Sequence, residues 1–475
     1  VLPERREYFA HLQVLYINGN NPEAKSAPFI VDITKPSASV EIDNKIFSPN
    51  GDGNKDRIKI HQETSKEENW YGTITDIDEN PVYQYKWIEQ PESTITWDGR
   101  KEDGSLAEDG YYFYQLTTVD RAGNRGESRR VRFELNTEET PVIFTANYDY
   151  FSPNGDGSKD SIQFLPRLKV QEGIERYELE VVNDAEEVVY TRNGTGTVPQ
   201  SLQWDGFSSA GGRVADGQYK AKIEILYANG NQPYAETQKF TVDTVYPSIT
   251  VDPEYTIFSP EGDGYRDSLT FEQDSTVEEL WEAEVVGPEG EAVRTAAWKG
   301  SVDNFVWNGT DDTGNSVEDG TYSYRVYATD RAGNFTEVQV NNIELDTAPT
   351  KLFVTAGSDK LSPNGDGRYE EISFSTIVNR TQGLEAWTLQ MVDSTGQVQK
   401  EFSGEDRIPQ KIIWDGKNED GQYVEGKYKA RFNARYTKGN RPTAESLSFV
   451  LDVTPPQADI TLDPVPFSPD NDGAA

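Results

Sequence analysis

Asn50, Asp52 and Asp56 carry side-chain oxygens at closely spaced positions of the stretch Phe-Ser-Pro-Asn-Gly-Asp-Gly-x-x-Asp, which runs from Phe47 to Asp56. The glycines between them tolerate positive φ, so the backbone can curl and bring those oxygens together. Converging carboxylate and amide oxygens are the donor set a hard divalent cation such as calcium prefers. The stretch recurs with an oxygen donor at every corresponding place: Asn154, Asp156 and Asp160; Glu261, Asp263 and Asp267; Asn364, Asp366 and Glu370. All of these residues are candidate calcium ligands. A truncated fifth copy, Phe467 to Gly473, reads FSPDNDG.

The ligand set is incomplete on its own. Counted in the register of an EF-hand, the twelfth position is Lys59, Gln163, Thr270 or Ser373, never the bidentate glutamate. Further oxygens would have to come from Asp43, Asp149, Asp252 or Asp463 ahead of the loop, or from Asp243, Asp346 or Asp452 at the junctions. A competing reading needs no ion. In it the loop is a rigid Asn/Asp-Gly turn whose carboxylates accept hydrogen bonds from its own amides. The turn is the stronger of the two.

Other chemistry finds few candidates. The histidines are His11 and His61, and neither recurs at matching places; cysteine is absent. The chain has no G-x-S-x-G elbow, no P-loop and no H-E-x-x-H pair. An active site is usually singular, whereas the distinctive features here are repeated. The expectation is that the segment is not an enzyme.

The elements that position the loop repeat with it. Its serines stand at 48, 152, 259, 362 and 468, a period of roughly 105 residues that marks a tandem array. After each loop come strand signals such as Arg57 to Ile60, then a Trp-Asp/Asn-Gly turn at Trp97, Trp204, Trp307 and Trp414, then Gly-x-Tyr with tyrosines at 112, 219, 322 and 428. Beyond that glycine, Tyr112, Tyr114 and Leu116 alternate with Phe113 and Gln115, the period of a half-buried strand. Short strands broken by Asp-Gly, Asn-Gly and Pro turns predict an all-β chain of immunoglobulin-like sandwiches. A Trp at one fixed place per unit reads as core. An exposed row of Trp and Tyr would instead stack on sugars, which keeps surface glycans among the candidate partners. Asp98, Asp205, Asn308 and Asp415 are expected to hold the turn that follows each Trp.

The units alternate in type. Residues 37–139 and 248–349 close their long strand with Asp-Arg-Ala-Gly-Asn (Asp120 to Asn124, Asp330 to Asn334), and form type A. Residues 140–247 and 350–455, type B, have Tyr-x-x-Gly-Asn there (Tyr227 to Asn231, Tyr436 to Asn440). Loop serine and tryptophan are 49, 52, 48 and 52 residues apart, in the same alternation. The translational unit is therefore a pair of about 210 residues. Residues 1–36, with Tyr16 to Asn20, read as the C-terminal part of one repeat, and 456–475 as the start of another, so a longer repetitive parent protein is expected. Short Pro-bearing links such as Asp243 to Pro247 and Asp346 to Pro349 should be stiff, favouring an extended rod in which each repeat's partners are its neighbours.

Composition narrows the partners. With 82 acidic and 45 basic residues the formal net charge is -37, which argues against nucleic acid and against anionic membranes. Hydrophobic residues make up 35% and aromatics 11%, enough to build cores and unlike a disordered acidic tail. No apolar run approaches the roughly 20 residues of a membrane span. The start has no signal-peptide core, so a secretion signal is expected outside this chain.

The combination FSPNGDGxxD, W-D/N-G, D-G-x-Y-x-Y and D-R-A-G-N resembles the immunoglobulin-like domain of flagellar hook-capping proteins. It is also similar to repeats of large bacterial surface proteins, including gliding-motility-associated C-terminal domains. The resemblance covers all four whole units. It implies a spacer, adhesin stalk or sorting role, and hence a non-catalytic structural or adhesive stalk or fibre segment of a repetitive cell-surface protein, with other protein chains among its candidate partners. The alternatives are a carbohydrate-binding accessory array of a secreted enzyme and a periplasmic or flagellar scaffold.

Overall fold

The structure, a computed structural model, describes residues 6–461. Asp463 and the truncated loop from Phe467 to Gly473 lie outside the described residues. Among the described residues none is helical, and strands form where apolar and polar side chains alternate. In Gly110–Val119, Tyr112, Tyr114 and Leu116 are buried while Phe113 and Gln115 face outward. The same pattern buries Tyr322, Tyr324 and Val326 in Gly320–Thr329. The chain splits into two compact units. The first runs to Thr244 and also holds Arg331–Gly333, and the second runs from Val245 without those three residues.

Two sandwiches make up most of the first unit. In the first sandwich Ala38–Ile42 and Thr94–Trp97 flank Ile58–Thr64 in an antiparallel sheet. The facing sheet has the order Ile46–Phe47, Val131–Leu135, Gly110–Val119, Glu67–Thr75, Pro81–Glu89. Between Ile42 and Ile46 the chain crosses from one sheet to the other, and Ile46–Phe47 pairs in parallel with Val131–Leu135. Each sheet has one apolar face, and packing the two together buries both. The second sandwich repeats this plan with Val142–Ala146, Ile162–Leu168 and Leu202–Trp204 against a sheet centred on Gly217–Tyr227 and Ile174–Asn183. Ahead of both, His11–Gln13 pairs with Glu23–Lys25 and Glu7–Tyr8 with Phe29–Ile30.

The second unit carries the plan twice more. Ile249–Pro253, Leu269–Ser275 and Phe305–Trp307 face a sheet containing Gly320–Thr329, and Leu352–Ala356, Ile372–Val378 and Lys411–Trp414 face one containing Gly426–Tyr436. Residues 346–351 link these two sandwiches, and 136–141 link the two in the first unit.

Each sandwich has its own core, built around the tryptophan. Trp97 is 2% exposed and packs on Phe47, Tyr112 and Phe133, with ring centroids 5.3–5.8 Å away. Its indole N–H donates to the Arg100 carbonyl at 2.7 Å, so the one polar atom is satisfied. Trp204, Trp307 and Trp414 do the same with Phe207, Thr310 and Lys417. The tyrosines that open the long strand donate their hydroxyls four residues back, Tyr112 to Glu108 at 2.6 Å and Tyr428 to Val424 at 2.6 Å. That is the corner device of immunoglobulin-like domains. Truncating one of these tryptophans would cost about 3–5 kcal/mol. The four repeated tryptophans are thus core residues and form no exposed row.

Candidate functional site

The repeated loop sits where the chain has just changed sheets. The Asp56 carboxylate clamps it, accepting from the Gly51 amide at 2.6 Å and the Gly53 amide at 2.9 Å. Asn50 Oδ1 accepts from the Asp52 amide at 3.0 Å, and Asp52 Oδ1 from the Asn54 amide at 2.7 Å. Asp160 and Asp267 each hold the two matching glycine amides at 2.6–2.8 Å. Glu370 reaches one only, Gly367 at 3.0 Å, because the extra methylene carries its carboxylate past the other. Glu261 has no Asn-like bond to the following amide, whereas Asn154 and Asn364 bond those of Asp156 and Asp366 at 3.0 Å. Lys55, Lys159, Arg266 and Tyr369 are held at φ of 47–55°, a strained place for a side-chain-bearing residue that only a well-determined loop maintains.

The loops therefore bring their candidate ligands together around their own amides. Among the described residues no group of three or more His, Cys, Asp and Glu is arranged to hold a metal ion. Three of the more distant candidates, Asp43, Asp346 and Asp452, are engaged elsewhere. Asp43 bonds His61 at 2.7 Å, Asp346 faces Lys438 and Arg380, and Asp452 accepts from the Thr454 amide at 3.0 Å. Asp98, Asp205 and Asp415 cap the amide two residues on at 3.1–3.3 Å, and Asn308 bonds the Thr310 hydroxyl at 2.7 Å. His61 also contacts Thr94 Oγ1 at 3.0 Å, making an Asp43–His61–Thr94 chain that joins two strands and the residue just after a third. Its histidine and aspartate side chains are 46% and 44% exposed, so this is a surface ladder open to water.

The loop and the turn after the tryptophan fit each other. Gly99 has φ of 76°, and a Cβ there would lie 3.0 Å from Pro49 Cγ and 2.8 Å from Leu135 Cδ1. Gly309 meets Pro260 in the same way at 2.9 Å. The proline of one motif thus requires the glycine of the other, which is why the two travel together.

The outer side of the first loop meets the next sandwich of its unit. Asn50 Nδ2 donates to Asn231 Oδ1 at 3.0 Å, and Lys55 Nζ donates to the Ala228 carbonyl at 2.8 Å and pairs with Glu175 at 3.1 Å. Asn231 Nδ2 holds the Glu138 carbonyl of the link at 2.8 Å, and Asn229 holds that of Asn136 at 3.3 Å. Both asparagines are 6% exposed. The Tyr227 to Asn231 turn is thus a socket for the preceding loop and for the link between them.

The second unit has the same socket in a charged version. Asn440 Nδ2 donates to Glu261 Oε1, Arg266 to the Thr437 carbonyl, and Lys438 to the Ala348 carbonyl. Lys438, 3% exposed, also lies 3.1 Å from Asp346 Oδ1, and Arg380 lies 2.7 Å from Asp346 Oδ2. The Arg441 guanidinium stacks on Tyr265, 3.7 Å from its ring centroid. Burial pushes the Glu261 carboxyl above the ordinary glutamate value, and Asp263 adds to this while Lys438 opposes it. The sequence offered junction aspartates as companions of the loop and missed its actual partner, the turn of the following type B repeat. The signal available was the confinement of Tyr-x-x-Gly-Asn to alternate repeats.

No curated protein matches this chain. Among solved structures, one described as "Crystal structure of tetra-tandem repeat in extending region of large adhesion protein" is 18% identical, over 88% of this chain and 100% of that one, with a TM-score of 0.30. A superposition that loose carries no argument. The family model "CHU_C Type IX secretion signal domain" matches residues 40–130, in the first sandwich, and "FlgD Ig-like domain" matches residues 257–332, in the third. The chain is a tandem array of immunoglobulin-like domains that resemble these two families.

Proposed function

We propose that the chain is a non-catalytic stalk segment of a large repetitive protein on the bacterial cell surface, with repeats 37–139, 140–247, 248–349 and 350–455 joined in locked pairs. The observation that carries this is the socket. Two junctions, one in each unit, use the same loop, the same turn and the same glycine–backbone contact although their side chains differ. A junction kept while its chemistry varies is what a spacer that must hold its repeats in fixed pairs needs. Similarity to a type IX secretion signal domain supports export, and adhesion is the role such a stalk would serve, by holding a binding surface away from the cell. Antibody against the repeats should label intact cells of the source bacterium. Labelling only after permeabilisation would overturn the surface assignment in favour of a periplasmic scaffold.

In this reading the loops act as hydrogen-bonded turns. Calcium binding is the second reading, favoured by the retention of oxygen donors at every loop position. Addition of calcium or of chelator should leave the melting temperature unchanged if the turn suffices. A calcium-dependent rise would make Asn50, Asp52, Asp56 and their counterparts ion ligands.

A further inference from the structure

Beside the Glu261–Asn440 contact, the third and fourth sandwiches enclose an open cleft of about 410 Å³ lined by Tyr255, Tyr265, Arg266, Glu385, Arg435 and Arg441. Three guanidinium groups on one cleft are a local reversal of charge in a chain of net charge -37. Arg435 is paired with Glu385 at 2.8 Å. Arg266 instead bonds a backbone carbonyl and lies 4.7 Å from the Tyr255 ring centroid, and Arg441 lies over Tyr265. Neither forms an ion pair with a carboxylate among the described residues. Stacking on an aromatic face holds a guanidinium flat and leaves its in-plane N–H donors available for a planar carboxylate. Tyr265 remains 42% exposed.

The structural devices of this chain recur, and this cleft does not. At the first junction the corresponding places hold Asn44, Asn54, Lys55, Leu226 and Gln232, and Lys55 is neutralised by Glu175. There Asn54 bonds Gln232 at 3.2 Å and Lys55 bonds the Ala228 carbonyl, so a junction closes with no aromatic ring or guanidinium at these places, and the lock alone does not call for them. We propose that the cleft binds an acidic sugar, a uronate unit of a polysaccharide. Arg441 and Arg266 take the carboxylate in charge-assisted hydrogen bonds, and the open surface of Tyr265 receives the sugar ring. Glu254 and Glu385 on the same cleft accept from sugar hydroxyls and repel a dense run of acidic side chains, which favours a glycan over an acidic peptide. The inference goes beyond the stalk reading, and its failure would leave that reading intact.

The test is calorimetric titration of the whole chain with a short galacturonic acid oligomer, a neutral glucose oligomer and a glutamate oligomer. Short probes limit repulsion by the chain's net charge, which salt near 0.15 M screens beyond about 8 Å. The uronate should bind at least about tenfold more tightly than either other probe. Arg441→Gln, which installs the first junction's residue at an exposed position, should weaken it by at least about tenfold, the scale of one charge-assisted bond. An unchanged melting temperature shows that the variant is folded, and Arg441→Lys, which keeps the charge but loses the planar fork, should fall between the two. Absence of uronate binding, equal binding by Arg441→Gln, or equal binding of the glutamate oligomer would overturn the proposal, the last by assigning the cleft to acidic peptides.

Discussion

Gly230 turns its bare α-carbon to the carbonyl oxygen of Asn54, so close that a Cβ built there would lie 2.6 Å from it, and Gly439 stands in the same relation to Tyr265. Both glycines have φ above 100°. A side chain would be strained there even without the neighbour. Gly230→Ala and Gly439→Ala should each open one junction, at a cost of about 2–4 kcal/mol from the left-handed backbone and the overlap together. Gly19, with φ of 89° and nothing within 4 Å of a Cβ, supplies the control. Gly19→Ala should cost only about 1–2 kcal/mol. Urea unfolding of the whole chain checks the contrast, and equal losses at all three sites would sink the lock.

The loop clamp makes a second, oppositely signed pair of expectations. Asp56→Ala strips acceptors from two glycine amides and should destabilise the first sandwich by about 1–3 kcal/mol. Glu370→Asp restores the second amide contact in the fourth sandwich and should stabilise it by about 0.5–1.5 kcal/mol. Scanning calorimetry resolves the two, since they move different transitions in different directions. A loss on Glu370→Asp would mean that the longer side chain serves something other than the loop.

The sandwich was legible because its determinants are local. Tyr112 and Tyr114 alternate with Phe113, and Trp97 stands beside the glycine that Pro49 demands, so strand, turn and core can be read within a single repeat. The loop's internal bonding was equally legible, since Asn50, Asp52 and Asp56 satisfy amides two to five residues away. Its external partner was not. Asn231 comes some 180 residues after Asn50, and nothing in either motif names the other. The role of Asp346 was hidden for a related reason. Its partner Lys438 occupies a place that holds Asn229 in the other type B repeat, so the pairing never shows as a repeated pattern.

That difference predicts how the second junction answers to substitution. Lys438→Asn removes a buried cation from Asp346 and should destabilise the second unit by about 3 kcal/mol, the low end for breaking a buried pair because Arg380 stays in place. Adding Asp346→Asn makes the site match Asn229 and Asn136 of the first junction. The double variant should recover to within about 1 kcal/mol of the parent, since Arg380, 26% exposed at its side chain, can turn to water. A double-mutant cycle in urea measures this. Additive losses would show that Lys438 and Asp346 are not coupled.

Glu261 gives the pH dependence of the same junction. Its carboxyl is raised above the ordinary value of 4.5 by burial, with the Asp263 and Asp267 carboxylates acting in the same sense and the Lys438 ammonium against them. The folded state therefore holds this proton more tightly than the unfolded state does. The stabilisation is complete below pH 4.5 and fades as pH rises through the folded value, so at neutral pH the ionised glutamate works against the junction. The contact itself explains why. Glu261 can only accept, so Asn440 turns its Nδ2 toward it, and Asn440 Oδ1 is left buried without a partner. At the first junction Asn50 donates instead, which frees Asn231 Nδ2 to hold the Glu138 carbonyl. Glu261→Gln supplies a donor without a charge. It should raise the melting temperature of the second unit at pH 7, leave it unchanged below pH 4, and flatten the profile between them. A lower melting temperature at pH 7 would mean that the charge of Glu261 serves Lys438 more than its burial costs the junction.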